Sequence, residues 1–307
     1  MEKYAKSKIV VKTVLAFTLL SFIVLGVGSC SNSNADTVIV ASKPFTESYI
    51  LAEMLVQLIE ADTDIQAEHA AGIAGGTANI HPAMLRGEID IYPEYTGTGW
   101  LSVLDREAIA DPMEMYKAVS QAYVDEFGIV WLDLYGFNNG YGLAMRRQQA
   151  QELGITTLSD LAAKSGQLRF GANADFFERA DGFPALEDRY GFDFDELVEF
   201  TAIGFSYTAL AEGQVDAINI FTTDGRLQEY NLTVLEDDQQ LFPTYYAATL
   251  VRKETLQQHP ELQSVLNQLG GRLDGPTMTQ LNYQVEIEKK SPAQVAEDFL
   301  RSQGLLE

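Results

Sequence analysis

From Thr37 onward, short β-branched runs alternate with longer stretches whose apolar residues fall three and four apart. Thr37–Ala41 reads as a buried strand. Ser42–Glu47 leads from it into a helix that carries Ile50, Leu51, Met54, Leu55, Leu58 and Ile59 along one face. A second strand is expected at Ile65–His69, a glycine-rich loop at Gly72–Thr77 and a helix through Ile80–Leu85. Arg86-Gly87-Glu88 then turns into a short strand at Ile89–Tyr92 that breaks at Pro93. Asp111-Pro112 is a cap followed by a first-turn proline, predicting a helix to Phe127. A strand at Ile129–Leu134 and a turn-rich crossing at Gly136–Gly142 follow. Beyond it, Thr157 starts a helix and Leu168–Gly171 is a strand. Asn173–Gly182 holds the place that Lys43–Glu47 holds earlier. Helices around Pro184–Tyr190 and at Thr208–Ala211, a strand after Asp216, and Thr233–Leu235 lead to a second crossing at Phe242–Ala248. Glu254–Leu269, Thr277–Glu288 and Pro292–Leu300 are helical.

This order predicts the α/β class, with mostly parallel sheets in two doubly wound lobes joined by two hinge crossings. Lobe one comprises 37–138 and 246–307, and lobe two, 139–245, is inserted into it. An internal repeat supports the pairing of lobes. Gly87-Glu88-Ile89-Asp90 and Gly213-Gln214-Val215-Asp216 are matching turns into strands, and eight residues after each turn glycine stands an aromatic, Tyr95 or Phe221. Aromatics at equivalent strand ends suggest a ligand gripped between the lobes, where open α/β sheets hold their ligands. Asp90 and Asp216 are expected to make local backbone hydrogen bonds. Glu94, Asp224 and Arg226 are expected to brace the lobes by a salt bridge, and Trp100 and Trp131 to be core.

The N-terminus departs from this pattern. Lys3, Lys6, Lys8 and Lys12 precede an apolar stretch, Val14–Gly28, too short for a comfortable membrane span. It ends in Val27-Gly28-Ser29-Cys30, at the only cysteine in the chain. This pattern is similar to a bacterial lipobox, so 1–30 is expected to be a lipoprotein signal peptide, Cys30 the lipidated residue and 31–36 a polar tether. The net charge of −23 argues against a nucleic-acid partner, which would need clustered Lys and Arg.

No P-loop, GxGxxG, HExxH or GxSxG is present, and His69, His81 and His259 lack metal-ligand spacing. No cofactor, metal or enzymatic activity is expected. Ser42–Glu47, Gly87–Thr98, Thr223–Arg226, and Leu235–Asp238 with Phe242-Pro243 together resemble the quaternary-amine substrate-binding proteins of osmoprotectant ABC transporters. The resemblance covers most of 37–300. It implies a type II periplasmic-binding-protein fold, a lipid anchor at the membrane, and partnership with a permease and its separate ATPase. It also implies an aromatic cage at Tyr95, Tyr141, Phe221 and Tyr245, with polar contacts from Lys43, Thr98 and Asn139. Such a cage suits a trimethylammonium, which donates no hydrogen bond and is attracted to ring faces. Lys43 in turn favours a betaine carboxylate over bare choline. Two alternatives use the same fold: a binding protein for another small ligand such as an amino acid, or an extracellular sensor module.

Overall fold

In the computed structural model, which describes residues 37–307, the pattern folds into two five-stranded sheets. The strands in chain order are β1 (Thr37–Ala41), β2 (Gln66–Ala70), β3 (Ile91–Tyr95), β4 (Ile129–Asn138), β5 (Tyr141–Arg146), β6 (Arg169–Asn173), β7 (Glu196–Phe200), β8 (Ala217–Phe221), β9 (Leu232–Val234) and β10 (Tyr246–Arg252). One sheet has the order β2-β1-β3-β10-β4 and the other β7-β6-β8-β5-β9. Each sheet anchors one lobe. The signal peptide, the tether and Cys30 lie outside the described residues.

The sheets are mixed, which corrects the expectation of mostly parallel strands. β2-β1-β3 and β7-β6-β8 are parallel, but β10 runs antiparallel to β3 and β4, and β5 antiparallel to β8 and β9. The cause is the chain's double crossing. β5 and β10 each enter a lobe from the other one, starting at the cleft, and so run against strands that end there. β7 and β10 were both missed in the sequence. β10 is buried along Ala247–Val251 and shows no alternation, and its first residues read as a hinge. The first crossing is also shorter than expected. β4 continues through Gly136 to Asn138, leaving Asn139 and Gly140 between the sheets. Gly136 can stay in the strand at φ 119 because it has no Cβ, which would lie 2.8 Å from the carbonyl of Leu273.

The repeat survives as structure. Asp90 accepts from the backbone N–H of Ile39 at 3.0 Å, and Asp216 from that of Arg169 at 2.9 Å. Each returns its own N–H to the same residue's carbonyl. These bonds tie β3 to β1 and β8 to β6, so they are cross-strand and not local. Trp100 and Trp131 are buried, as expected, in one of the two apolar clusters that flank the first sheet.

The long helix Thr46–Asp62 packs its apolar face on that sheet and on the C-terminal helix Pro292–Ser302. Its first turn therefore points at the cleft. The Asn173–Gly182 segment contains a one-turn helix, Ala174–Glu178, where a loop was expected.

Candidate functional site

β3 and β8 end at Tyr95 and Phe221, and strand register sets the other two rings beside them. Ala247 of β10 pairs with Tyr95, and Tyr141 of β5 pairs with Phe221. The two crossings lie against each other: the Asn139 N–H donates to the Tyr245 carbonyl at 3.0 Å. The Tyr245 N–H donates to the Asn138 side chain at 2.5 Å. Tyr141 stands 5.5 Å from Phe221 and 5.6 Å from Tyr245, centroid to centroid. Among the described residues, Tyr95 reaches this group through Phe45, which stacks on Phe221 at 5.5 Å and sits 6.3 Å from Tyr95. Phe45 is thus a fifth ring that sequence reasoning missed. The equivalent loop of lobe two also sends a ring, Phe176, onto Tyr141 at 5.0 Å.

Two cations flank the rings. Lys43 is buried, with Nζ 4.9 Å from the Tyr95 centroid and bonded to Glu94. Burial pushes its pKa down, and the Glu94 charge works against that. Glu94 also accepts from Thr77 and Tyr92, so it serves Lys43 and does not brace the lobes. Arg179, also missed in the sequence, lies 5.8 Å from the Tyr141 centroid and holds Asp181 in a two-pronged pair at 2.8 and 2.6 Å. The Tyr245 hydroxyl donates to the same Asp181 at 2.6 Å. Thr98 is buried at the start of the turn Thr98–Val103.

Behind the rings sits Glu47, 2% exposed. One carboxylate oxygen accepts from the Tyr95 hydroxyl at 2.6 Å and Asn139 Nδ2 at 2.9 Å. The other accepts from the Thr223 hydroxyl at 2.5 Å and Asn282 Nδ2 at 3.1 Å. Four donors, from Tyr95, a crossing, lobe two and the helix Gly275–Glu286, converge on one side chain. Burial raises its pKa, and the donors oppose the rise. The Asn139 Oδ1 is left buried without a hydrogen-bond partner.

A second chain of bonds links Ser42, His69 and Glu53, at 2.8 Å from the Ser42 oxygen to Nε2 and 2.6 Å from Nδ1 to Glu53. Its connectivity is that of a nucleophile relay. Ser42, however, is fully buried and also accepts from the Gly72 N–H at 3.0 Å. The chain therefore braces the loop carrying Lys43 against the glycine-rich turn.

Two lobes, two crossings and a ring-lined cleft with flanking cations define a ligand-binding protein of the type II periplasmic class. Residues 36–302 match the family described as the substrate binding domain of ABC-type glycine betaine transport systems, and the chain belongs to it. It is 43% identical over 267 residues to an ergothioneine transport permease/ergothioneine binding protein of Helicobacter pylori; the match covers 87% of this chain and 48% of that longer protein. It is 36% identical to a carnitine transport binding protein of Listeria monocytogenes, over 92% of this chain and 94% of that one. A crystal structure of a glycine betaine/carnitine/choline ABC transporter protein is 34% identical, with a TM-score of 0.73, over 88% of this chain and all of that one. The protein is the extracytoplasmic substrate-binding component of an ABC importer.

Proposed function

We propose that the cleft binds a betaine, a molecule with a trimethylammonium head and a carboxylate, in the cage of Tyr95, Tyr141, Phe221, Tyr245 and Phe45. The observation that carries this is the juxtaposition of five ring faces with two flanking cations. The rings match a cation that cannot donate a hydrogen bond, at about 0.5–2 kcal/mol each. Lys43 and Arg179 then take the carboxylate, because each keeps donors beyond its resident acid. Thr98, buried three residues after Tyr95, would border the cage, and the Asn139 oxygen, buried without a hydrogen-bond partner, would face it with partial negative charge. The names of the relatives, glycine betaine, carnitine and ergothioneine, share this chemistry.

Closure follows from the same geometry. Phe45 and Phe221 stack at 5.5 Å, too close to admit an ammonium between their faces. The lobes, 37–138 with 246–307 and 139–245, must part for entry and close again on ligand. The closed form docks on a permease driven by a separate ATPase, with the protein held to the membrane by a lipid at Cys30.

Calorimetric titration with glycine betaine, carnitine, choline and arginine tests the reading. We expect binding near the micromolar range, about −8 kcal/mol, for at least one methylated zwitterion and its loss in Tyr141→Ala. Binding of arginine alone would remove the cage from the account. Cleavage and lipidation are checked by mass spectrometry of the membrane-bound protein, with Cys30→Ala abolishing the lipid adduct.

A further inference from the structure

The lobes also touch away from the rings, and there two acids meet. The helix Gly275–Glu286, in lobe one, packs on the turn after β8, residues 222–226, in lobe two. Asn282 Nδ2 donates to the Thr223 carbonyl at 2.9 Å. A Cβ on Gly225 would lie 2.5 Å from the Cα of Tyr283, so turn and helix meet backbone to backbone. One helical turn on from Asn282, Glu286 Oε1 lies 2.7 Å from Arg226 Nη1. The same nitrogen donates to the two Asp224 oxygens at 3.2 and 3.1 Å.

One cation thus serves two acids from opposite lobes. The side chains of Asp224 and Glu286 are only 2% and 6% exposed, too little for water to screen them from each other. The groups that face Glu286 are Asp224 and Arg226 from the turn, Tyr207 from the helix Ile203–Ala211, and the Thr46 hydroxyl from the helix Thr46–Asp62. Among these, Arg226 is the positive charge, and it lies 5.6 Å over the Tyr207 ring. Glu286 Oε2 is buried without a hydrogen-bond partner. A bare buried carboxylate oxygen is costly, and neighbouring buried carboxylates resist ionising together. A proton on Oε2 removes both costs, because it cancels one charge and turns the bare acceptor into a donor. Burial, then the Asp224 charge, push the Glu286 carboxyl up to about 8, in keeping with a protonated group at neutral pH.

We infer that Glu286 is a positioning residue that clasps lobe two through a proton shared with Asp224, and that closing the lobes on ligand takes this proton up from water. The proton bonds to Glu286 Oε2 and is donated to an Asp224 oxygen; parting the lobes rehydrates both acids and releases it. Closure is then favoured in full at low pH and weakens as pH rises from 4.5 to about 8. Glu286→Gln mimics the protonated acid, since its amide N–H donates to Asp224 and its carbonyl accepts from Arg226 at any pH.

Infrared spectroscopy of the full chain at neutral pH tests the proton without ligand. A protonated-carboxyl C=O band should be present. It should weaken in Glu286→Gln, and also in Asp224→Asn, where Glu286 faces Arg226 without a second acid and ionises. A band unchanged in Glu286→Gln overturns the shared proton. Calorimetry with glycine betaine, which rests on the cage reading above, tests the coupling. Wild-type affinity should fall by up to about tenfold per pH unit across the same window, with proton uptake seen as a dependence of the heat on the buffer. Glu286→Gln should flatten that profile; Glu47 titrates in both proteins, so their difference isolates Glu286. Equal profiles overturn the coupling. If no betaine binds, the cage reading falls and small-angle scattering decides instead. The wild type should then expand from pH 4.5 to about 8 while Glu286→Gln stays compact, and equal expansion overturns the clasp.

Discussion

Gly97 has room for a hydrogen and little more. A Cβ there would lie 2.6 Å from two carbons of the Tyr245 ring and 3.0 Å from the Thr244 carbonyl. Gly97→Ala is therefore expected to push Tyr245 off Tyr141 and Asp181, at the cost of about 1–3 kcal/mol typical of overpacking. Calorimetry should show betaine affinity falling about tenfold or more, since each 1.4 kcal/mol is a factor of ten. Phe45→Ala removes one ring face and should weaken binding by about 1 kcal/mol. Unchanged affinity in Phe45→Ala would make Phe45 a spacer and not a cage member. At this scale the repeat made Tyr95 and Phe221 legible, because similar turns place them at the same offset. Arg179 was illegible: it has no counterpart in Lys43–Glu47 at the same spacing, and only the fold of Asn173–Gly182 turns it onto Tyr141.

Among elements, the paired aspartates Asp90 and Asp216 locate each ring-bearing strand against its parallel neighbour. Asp90→Ala would leave the Ile39 N–H without its acceptor and the Thr255 hydroxyl without a partner at 2.8 Å. Such a change is expected to cost about 1–3 kcal/mol per buried group left unpaired. Urea unfolding should show a lower midpoint at constant slope. The direction of β5 and β10 was the least legible feature of the sheets. Both are apolar without alternation, and their antiparallel direction follows from where the chain re-enters a lobe, which no local pattern encodes.

For the whole molecule, the question is what ties one lobe to the other. Thr223 brings lobe two to Glu47, and Thr223→Val removes that donor while keeping the shape. Hydrogen bonds to charged groups contribute about 1.5–3 kcal/mol, so the variant should favour the open form. Small-angle scattering would then report a larger radius of gyration without ligand, and calorimetry a weaker affinity. A second tie joins Arg226 to both Asp224 and Glu286, the latter at 2.7 Å on the helix Gly275–Glu286. Burial, then the Asp224 charge, raise the Glu286 pKa from 4.5 to about 8. A carboxyl raised on folding adds stability that is full below its unfolded value and lost as pH rises through its folded one. The melting temperature should therefore fall between pH 4.5 and about 8 by an amount that Glu286→Gln abolishes. A slope identical in the variant would place the titration elsewhere.

The sequence by itself determined the α/β class, most helices, the repeat, the two crossings, and the rings Tyr95 and Phe221 at matching strand ends. These depend on local periodicity, on turn chemistry and on motifs that occupy contiguous residues. Only the tertiary structure decided the mixed sheets, the convergence of four donors on Glu47, the Lys43–Glu94 pair, and the entry of Phe45 and Arg179 into the site. Each of those joins residues far apart in the chain, and what a side chain meets there depends on how two lobes close, not on its neighbours in sequence.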